Sequence, residues 1–468
     1  MRGRGQNRGL RWGALLGLTV GLLAPAAAGA ASLHPKLVAK VSYGTSPIGF
    51  ARTADGRLHV AFETNTNWGD SASGVGTVAV SPSGNLNPAV QALAWSGSTG
   101  GSPNGYPGLA VMPSGALQAT FAGSPSGVDG PWGIASTDGG ATWSAPVNVG
   151  SSLMTVDTAV ELAISKGTPV LDEGCCGNIV IQQGFGQGAP TSQLTNASDD
   201  AAGDTTVAVD AATGNVVAGW GSNAGSGGLW LQQTAPTAGS AQKVPLPSQY
   251  GTGPALRVAG RDTGPGVFAG YPANFATTTH MRLLRYGGGS VAVGSVKGLH
   301  AASWGVATGP DGRLWVMWAG EINGKGVTAF TRSNKAVTRF EPIQTHRFTW
   351  AQLFTLSGDG RLGPLDLLMS GLPSAGQAVS GIYYARVLPV LSATVSTTAL
   401  KGGKFKVTVK VTDAGDAVSG ATVSSEGHTA KTNAKGTASV TLTGSKGDNV
   451  TVKVTAPGYQ ALKTGATL

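Results

Sequence analysis

The stretch from Gly309 to Trp318, GPDGRLWVMW, reads as a tight turn at Asp311-Gly312 followed by a strand. In that strand Leu314, Val316 and Trp318 alternate with Trp315 and Met317. Both faces are apolar, so the strand must be covered on both sides. Relatives of this pattern recur along the chain: TADGRLHVAF from Thr53, MPSGALQATF from Met112 and AATGNVVAGW from Ala211, with weaker copies from Ser165, Arg261 and Ser357. Their turn glycines, Gly56, Gly115, Gly167, Gly214, Gly264, Gly312 and Gly360, are spaced by 59, 52, 47, 50, 48 and 48 residues.

A repeat of this length is the signature of propeller blades, each a four-stranded sheet with the turn between its first and second strands. The third strands are expected at 76–80, 132–136, 178–182, 228–232, 281–286, 326–332 and 381–386. The segment from Leu37 to Val41 has the look of a fourth strand with no blade of its own. It is expected to pair with the third strand of the last repeat and close the ring, which removes open sheet edges. The fold class is therefore all-β: a seven-bladed, alternatively six-bladed, β-propeller over residues 31–388. After Leu388 short alternating strands follow, KFKVTVKVT from Lys404, TASVTLT from Thr437 and NVTVKVT from Asn449, the pattern of a small β-sandwich over 389–468.

Composition changes this picture in three places. Arg2, Arg4, Arg8 and Arg11 precede an apolar run from Ala14 to Leu23 and the small-residue segment PAAAGA, so residues 1–30 read as a secretory signal and the protein as extracellular. Its removal takes the formal charge from +9 to +5, and the remaining basic residues are scattered, which argues against nucleic-acid binding. No later segment is apolar enough for a transmembrane helix. The adjacent Cys175 and Cys176 read, in an oxidising compartment, as a vicinal disulfide, with free thiols or half a metal site as alternatives.

The sharpest motif is STDGGATWS, in which Ser136, Asp138, Gly140 and Trp143 match S-x-D-x-G-x-x-W. It resembles the Asp-box of the sialidase and BNR-repeat superfamily, and the resemblance extends over about residues 37–388. It implies a structural turn between third and fourth strands, away from any active site. The last 80 residues, with VSGATV, TNAKGTASVTLT and VTAPGY, resemble immunoglobulin-like and carboxypeptidase-regulatory-like modules.

Strand alternation places the loops between second and third strands, and the connections between blades, on one face, where sialidase-like proteins bind their ligands. Trp68, Asp70, Tyr106, Tyr271, Trp304, Glu321, Arg347 and Trp350 fall there as ligand-binding candidates for a glycan or an extracellular protein, because aromatic faces stack on sugar rings while polar groups meet hydroxyls. Packing between blades is the alternative role for each aromatic. The resemblance also implies three arginines around a substrate carboxylate, a Tyr-Glu couple and an acidic proton donor, and here only Arg347 and Arg257 could face the ligand side. Binding without catalysis is thus expected. A divergent glycoside hydrolase would draw its carboxylates from Asp172, Glu173, Asp199 and Asp200, which could instead hold calcium or simply be solvated. A structural role in the cell envelope is a third reading. No histidine pair has metal-ligand spacing, and His59 is expected to point outward.

Overall fold

The computed structural model describes residues 33–41, 48–63, 72–98, 107–123, 125, 130–150, 160–175, 178–194, 205–222, 228–245, 256–273, 280–348, 352–372 and 380–468. The signal segment lies outside them. Among the described residues the one helical element is a 3-10 turn at Pro310–Gly312; everything else regular is strand. The architecture is all-β, with four-stranded antiparallel sheets in an arrangement consistent with a propeller.

Seven of these sheets follow one another along the chain, each running outward from its first strand. The first strands are Gly49–Arg52, Gly108–Val111, Val160–Ser165, Thr206–Val209, Val258–Gly260, His300–Thr308 and Gln352–Asp359. They stand side by side in this order. The approach is close enough to need glycine: a Cβ on Gly49 would strike the carbonyl of Pro107, and one on Gly260 that of Val209. In the seventh sheet the outermost position is taken by Lys36–Val41, which pairs antiparallel with Ser380–Val387 in the register Leu37 to Tyr383 and Val41 to Ser380. The opening strand therefore completes the last sheet, as its orphan position implied.

The two-sided apolar strand behaves as its pattern requires. From Leu314–Ile322, the side chains of Leu314, Val316 and Trp318 share one core cluster with Phe268 and Leu283 of the fifth sheet. Trp315, Met317 and Ala319 pack with Leu365, Leu367 and Met369 of the seventh. Each such fully buried side chain contributes about 1.5–3 kcal/mol, so adjacent sheets are held chiefly by these faces. Six of the repeat's turn glycines, from Gly56 through Gly312, have φ between 73° and 89°, the left-handed region that favours glycine. Gly360 differs. It is needed for space, because a Cβ there would run into the indole of Trp315.

His59 corrects the outward expectation: it is 3% exposed, wedged near Gly140 of the second sheet, because both faces of Leu58–Glu63 are covered. The turn 136–144 is wired by its own side chains. Ser136 Oγ donates to Asp138 at 2.7 Å and accepts from Gly140 N at 2.8 Å, while Asp138 accepts from Thr142 N and Oγ1 at 2.9 and 2.6 Å. The Thr142 hydroxyl and amide, then Ser136, hold the Asp138 carboxyl down at about 2. Trp143 packs against the core of the second sheet.

After Leu388 two further sheets form. Ser392–Ala399, Lys404–Asp413, Asp416–Ala417 and Thr437–Thr443 make one; His428–Lys431, Thr422–Ser425, Asn449–Thr455 and Leu462–Thr467 make the other. Phe405, Val407 and Val409 of the first share a core with Val423, Val452 and Val454 of the second. This pair is joined to the sixth sheet by buried charge. Arg332, 1% exposed, meets Glu341 at 3.1 Å and Asp413 at 2.8 Å, and Arg313 meets Asp413 and Asp416 at 3.2 and 2.7 Å. Burial raises the Glu341 carboxyl well above its usual range. For Asp413 burial pushes the same way but Arg332, and a hydrogen bond from Glu341, outweigh it and lower it.

Candidate functional site: the axial channel

The seven first strands enclose a channel of about 350 Å³. Its wall is apolar along the middle, with Leu109, Leu162, Val207, Val258 and Val306. Charge is confined to its two ends, and the ends differ in what their charges already do.

At the end carrying the repeat's turns, Arg52 is bound by Asp359 and Asp366, each at 2.7 Å, and Arg361 meets Asp359 at 3.2 Å. Asp366 also accepts from the Tyr384 hydroxyl at 2.7 Å and faces Arg386 at 3.6 Å. Burial, and then the Asp366 charge, drive the Tyr384 phenol upward. Arg261 donates to the carbonyls of Gly312, Lys335 and Pro265. Each of these arginines is thus held in place by the ring itself.

At the opposite end the first strands begin. Glu161 is the second residue of Val160–Ser165, and Arg257 immediately precedes Val258–Gly260. Arg257 Nη1 lies 3.6 Å from Glu161 Oε1, joining the third and fifth sheets across the fourth, with side chains 11% and 20% exposed. Arg257 Nη2 is buried and has no hydrogen-bond partner among the described residues. Glu161 is the cross-strand partner of Asp172 on Thr168–Cys175, which puts the two side chains on one face of the sheet. A guanidinium with a spare donor edge, beside a partly exposed carboxylate and an apolar wall, is suited to a polar ligand with hydroxyl or carboxylate oxygens.

The sequence candidates distribute unevenly over this geometry. Trp68, Asp70, Tyr106, Asp199, Asp200, Trp350 and Cys176 lie outside the described residues. Glu173 and Cys175 are described only as backbone positions of Thr168–Cys175. Tyr271 and Trp304 are each 1% exposed and belong to the core cluster shared by the fourth, fifth and sixth sheets, so they serve packing and present no ring to a ligand. Asp172 is fully buried within its sheet. Glu321 is exposed on the expected face, opposite His300. Arg347 is exposed but sits on Gln344–Phe348, the outermost strand of the sixth sheet, away from the axis. Among the described residues no three His, Cys, Asp or Glu side chains gather as a metal set. Sequence reasoning missed Glu161, and the available signal was a lone acid in the apolar strand VELAIS.

No protein-family profile matches the chain, and no curated protein does. Solved structures similar to it include NanB with Optactamide, at 8% identity over 78% of this chain and 70% of the other with TM-score 0.41. A structure from an analysis of two prolyl endopeptidases has 10% identity over 79% and 55% with TM-score 0.40. The α-L-arabinofuranosidase PaAbf62A from Podospora anserina, in complex with cellotriose, has 9% identity over 76% and 96% with TM-score 0.30. No helix among the described residues is long and apolar enough to cross a membrane.

Proposed function

We propose that the chain is a secreted, non-catalytic glycan-binding protein: a seven-bladed propeller over residues 31–388 that seats its ligand at the mouth of the axial channel, followed by an immunoglobulin-like or carboxypeptidase-regulatory-like sandwich. One observation carries this reading. At the end of the channel where the first strands begin, Arg257 keeps a buried donor edge that has no partner among the described residues, beside the partly exposed Glu161. A saccharide supplies the missing acceptor: hydroxyl or carboxylate oxygens accept from Arg257, neighbouring hydroxyls reach the partly exposed Glu161, and C–H faces meet the apolar wall.

Catalysis fits less well. Glycoside hydrolysis needs two carboxylates flanking the bond. Here Asp172 is enclosed on all sides, leaving Glu161 as the one partly exposed acid at this mouth among the described residues. An array of immobilised glycans, with released reducing sugar measured in parallel, tests the reading. Binding without release supports it, and release that disappears in Glu161→Gln would replace it with a hydrolase.

A further inference from the structure

The two C-terminal sheets carry a charge asymmetry unrelated to the channel. From Ser392 onward there are nine lysines, no arginine and four acidic residues. Two of the acids, Asp413 and Asp416, are committed to Arg313 and Arg332 of the sixth sheet. All nine lysines are exposed, and among the described residues none forms an ion pair within this region.

Their arrangement on one sheet is regular. On the central strand Lys404–Asp413, alternate residues Phe405, Val407, Val409 and Val411 enter the core, so Lys404, Lys406, Thr408 and Lys410 share the outer face. Pairing puts Thr398, Ser396 and Thr394 beside Lys406, Thr408 and Lys410 on one flank. On the other flank Thr443, Thr441, Ser439 and Thr437 stand beside Lys404, Lys406, Thr408 and Lys410. The outer face is a row of lysines, interrupted by Thr408, between two rows of hydroxyls; it carries no acid, and its one large apolar side chain is Leu400 at the edge beside Lys404.

We propose that this face binds an acidic polysaccharide in an extended conformation. Carboxylates along such a polymer meet the lysine row, and its hydroxyls exchange hydrogen bonds with the threonine and serine rows. A nucleic acid suits the face poorly: base stacking needs exposed aromatic rings, and the two aromatic residues of this region, Phe405 and Tyr459, are occupied in the core and at Asp413. Guanine readout favours arginine forks, and none is present.

The test uses the full chain and polygalacturonate, with double-stranded DNA as the competing polyanion. Polygalacturonate is expected to bind, with affinity falling steadily as salt rises. Removing two contacting charges in Lys406→Gln/Lys410→Gln is expected to weaken it roughly tenfold. Lys453→Gln/Lys463→Gln removes the same charge from the other sheet, where the two lysines are cross-strand partners, and is expected to leave affinity within about twofold. Equal losses in the two variants would overturn the face in favour of net charge alone. Tighter binding to DNA, or no binding to polygalacturonate, would overturn the ligand class.

Discussion

Arg52 of the first sheet donates to Asp359 of the seventh at 2.7 Å, joining residues 307 positions apart in the chain. That bond is made by Nε, while Nη2 reaches Asp366 at the same distance, and the three side chains are 4%, 2% and 0% exposed. The seam where the last sheet meets the first is therefore fastened by buried charge at the channel's turn end. At the same seam, Val38, Ile48, Leu58, Leu368 and Ile382 share one hydrophobic cluster.

Removing one member of a buried pair leaves the rest uncompensated, which costs about 3–5 kcal/mol. Arg52→Ala is expected to lose stability of that order in chemical denaturation, because two aspartates would remain buried beside it. A loss below about 1 kcal/mol would show that the seam is held by apolar contacts alone.

The junction with the C-terminal sheets depends in the same way on Asp413, the shared acceptor of Arg313, Arg332 and the Tyr459 hydroxyl. Arg332 is enclosed between the rings of Trp315 and Tyr459, at 5.4 and 5.3 Å. Asp413→Ala is expected to loosen this contact, and limited proteolysis should then cut near 388–391 while fragments of both parts remain folded. Unchanged protease resistance would place the strength of the junction elsewhere.

His59 supplies a pH dependence. Burial lowers its pKa below 6.5, with Asp55 opposing and Arg57 assisting. The unfolded chain therefore takes up a proton that the folded one refuses. Stability from this group is complete above about 6.5 and declines as pH falls below it, until the folded histidine also protonates. His59→Gln is expected to flatten the stability curve just below about pH 6.5 in urea titrations, and an unaltered slope would assign the dependence to other groups.

Much of the architecture was legible because its determinants are local. The turn glycines, the two-sided strands such as Leu314–Ile322, and the unpartnered opening strand each state a requirement that one neighbour can meet. The site was less legible because its geometry is set by residues remote in sequence. Glu161 and Arg257 meet only once the third, fourth and fifth sheets curve around the axis. Aromatic residues misled for a related reason: Tyr271 and Trp304 lie near the expected face in sequence order, but side-chain direction along their strands turns them into the core. Arg347 misled through its place in the sheet, since the fourth strand is the farthest from the channel.

The binding reading rests on the free edge of Arg257, and the most direct measurement is the affinity of Arg257→Gln for the best-bound glycan of the array, by isothermal titration. Loss of a charge-assisted hydrogen bond is expected to weaken binding at least about tenfold, with the melting temperature little changed because the partner Glu161 remains partly exposed. Affinity equal to that of the unaltered protein would contradict a ligand seat at the axial mouth.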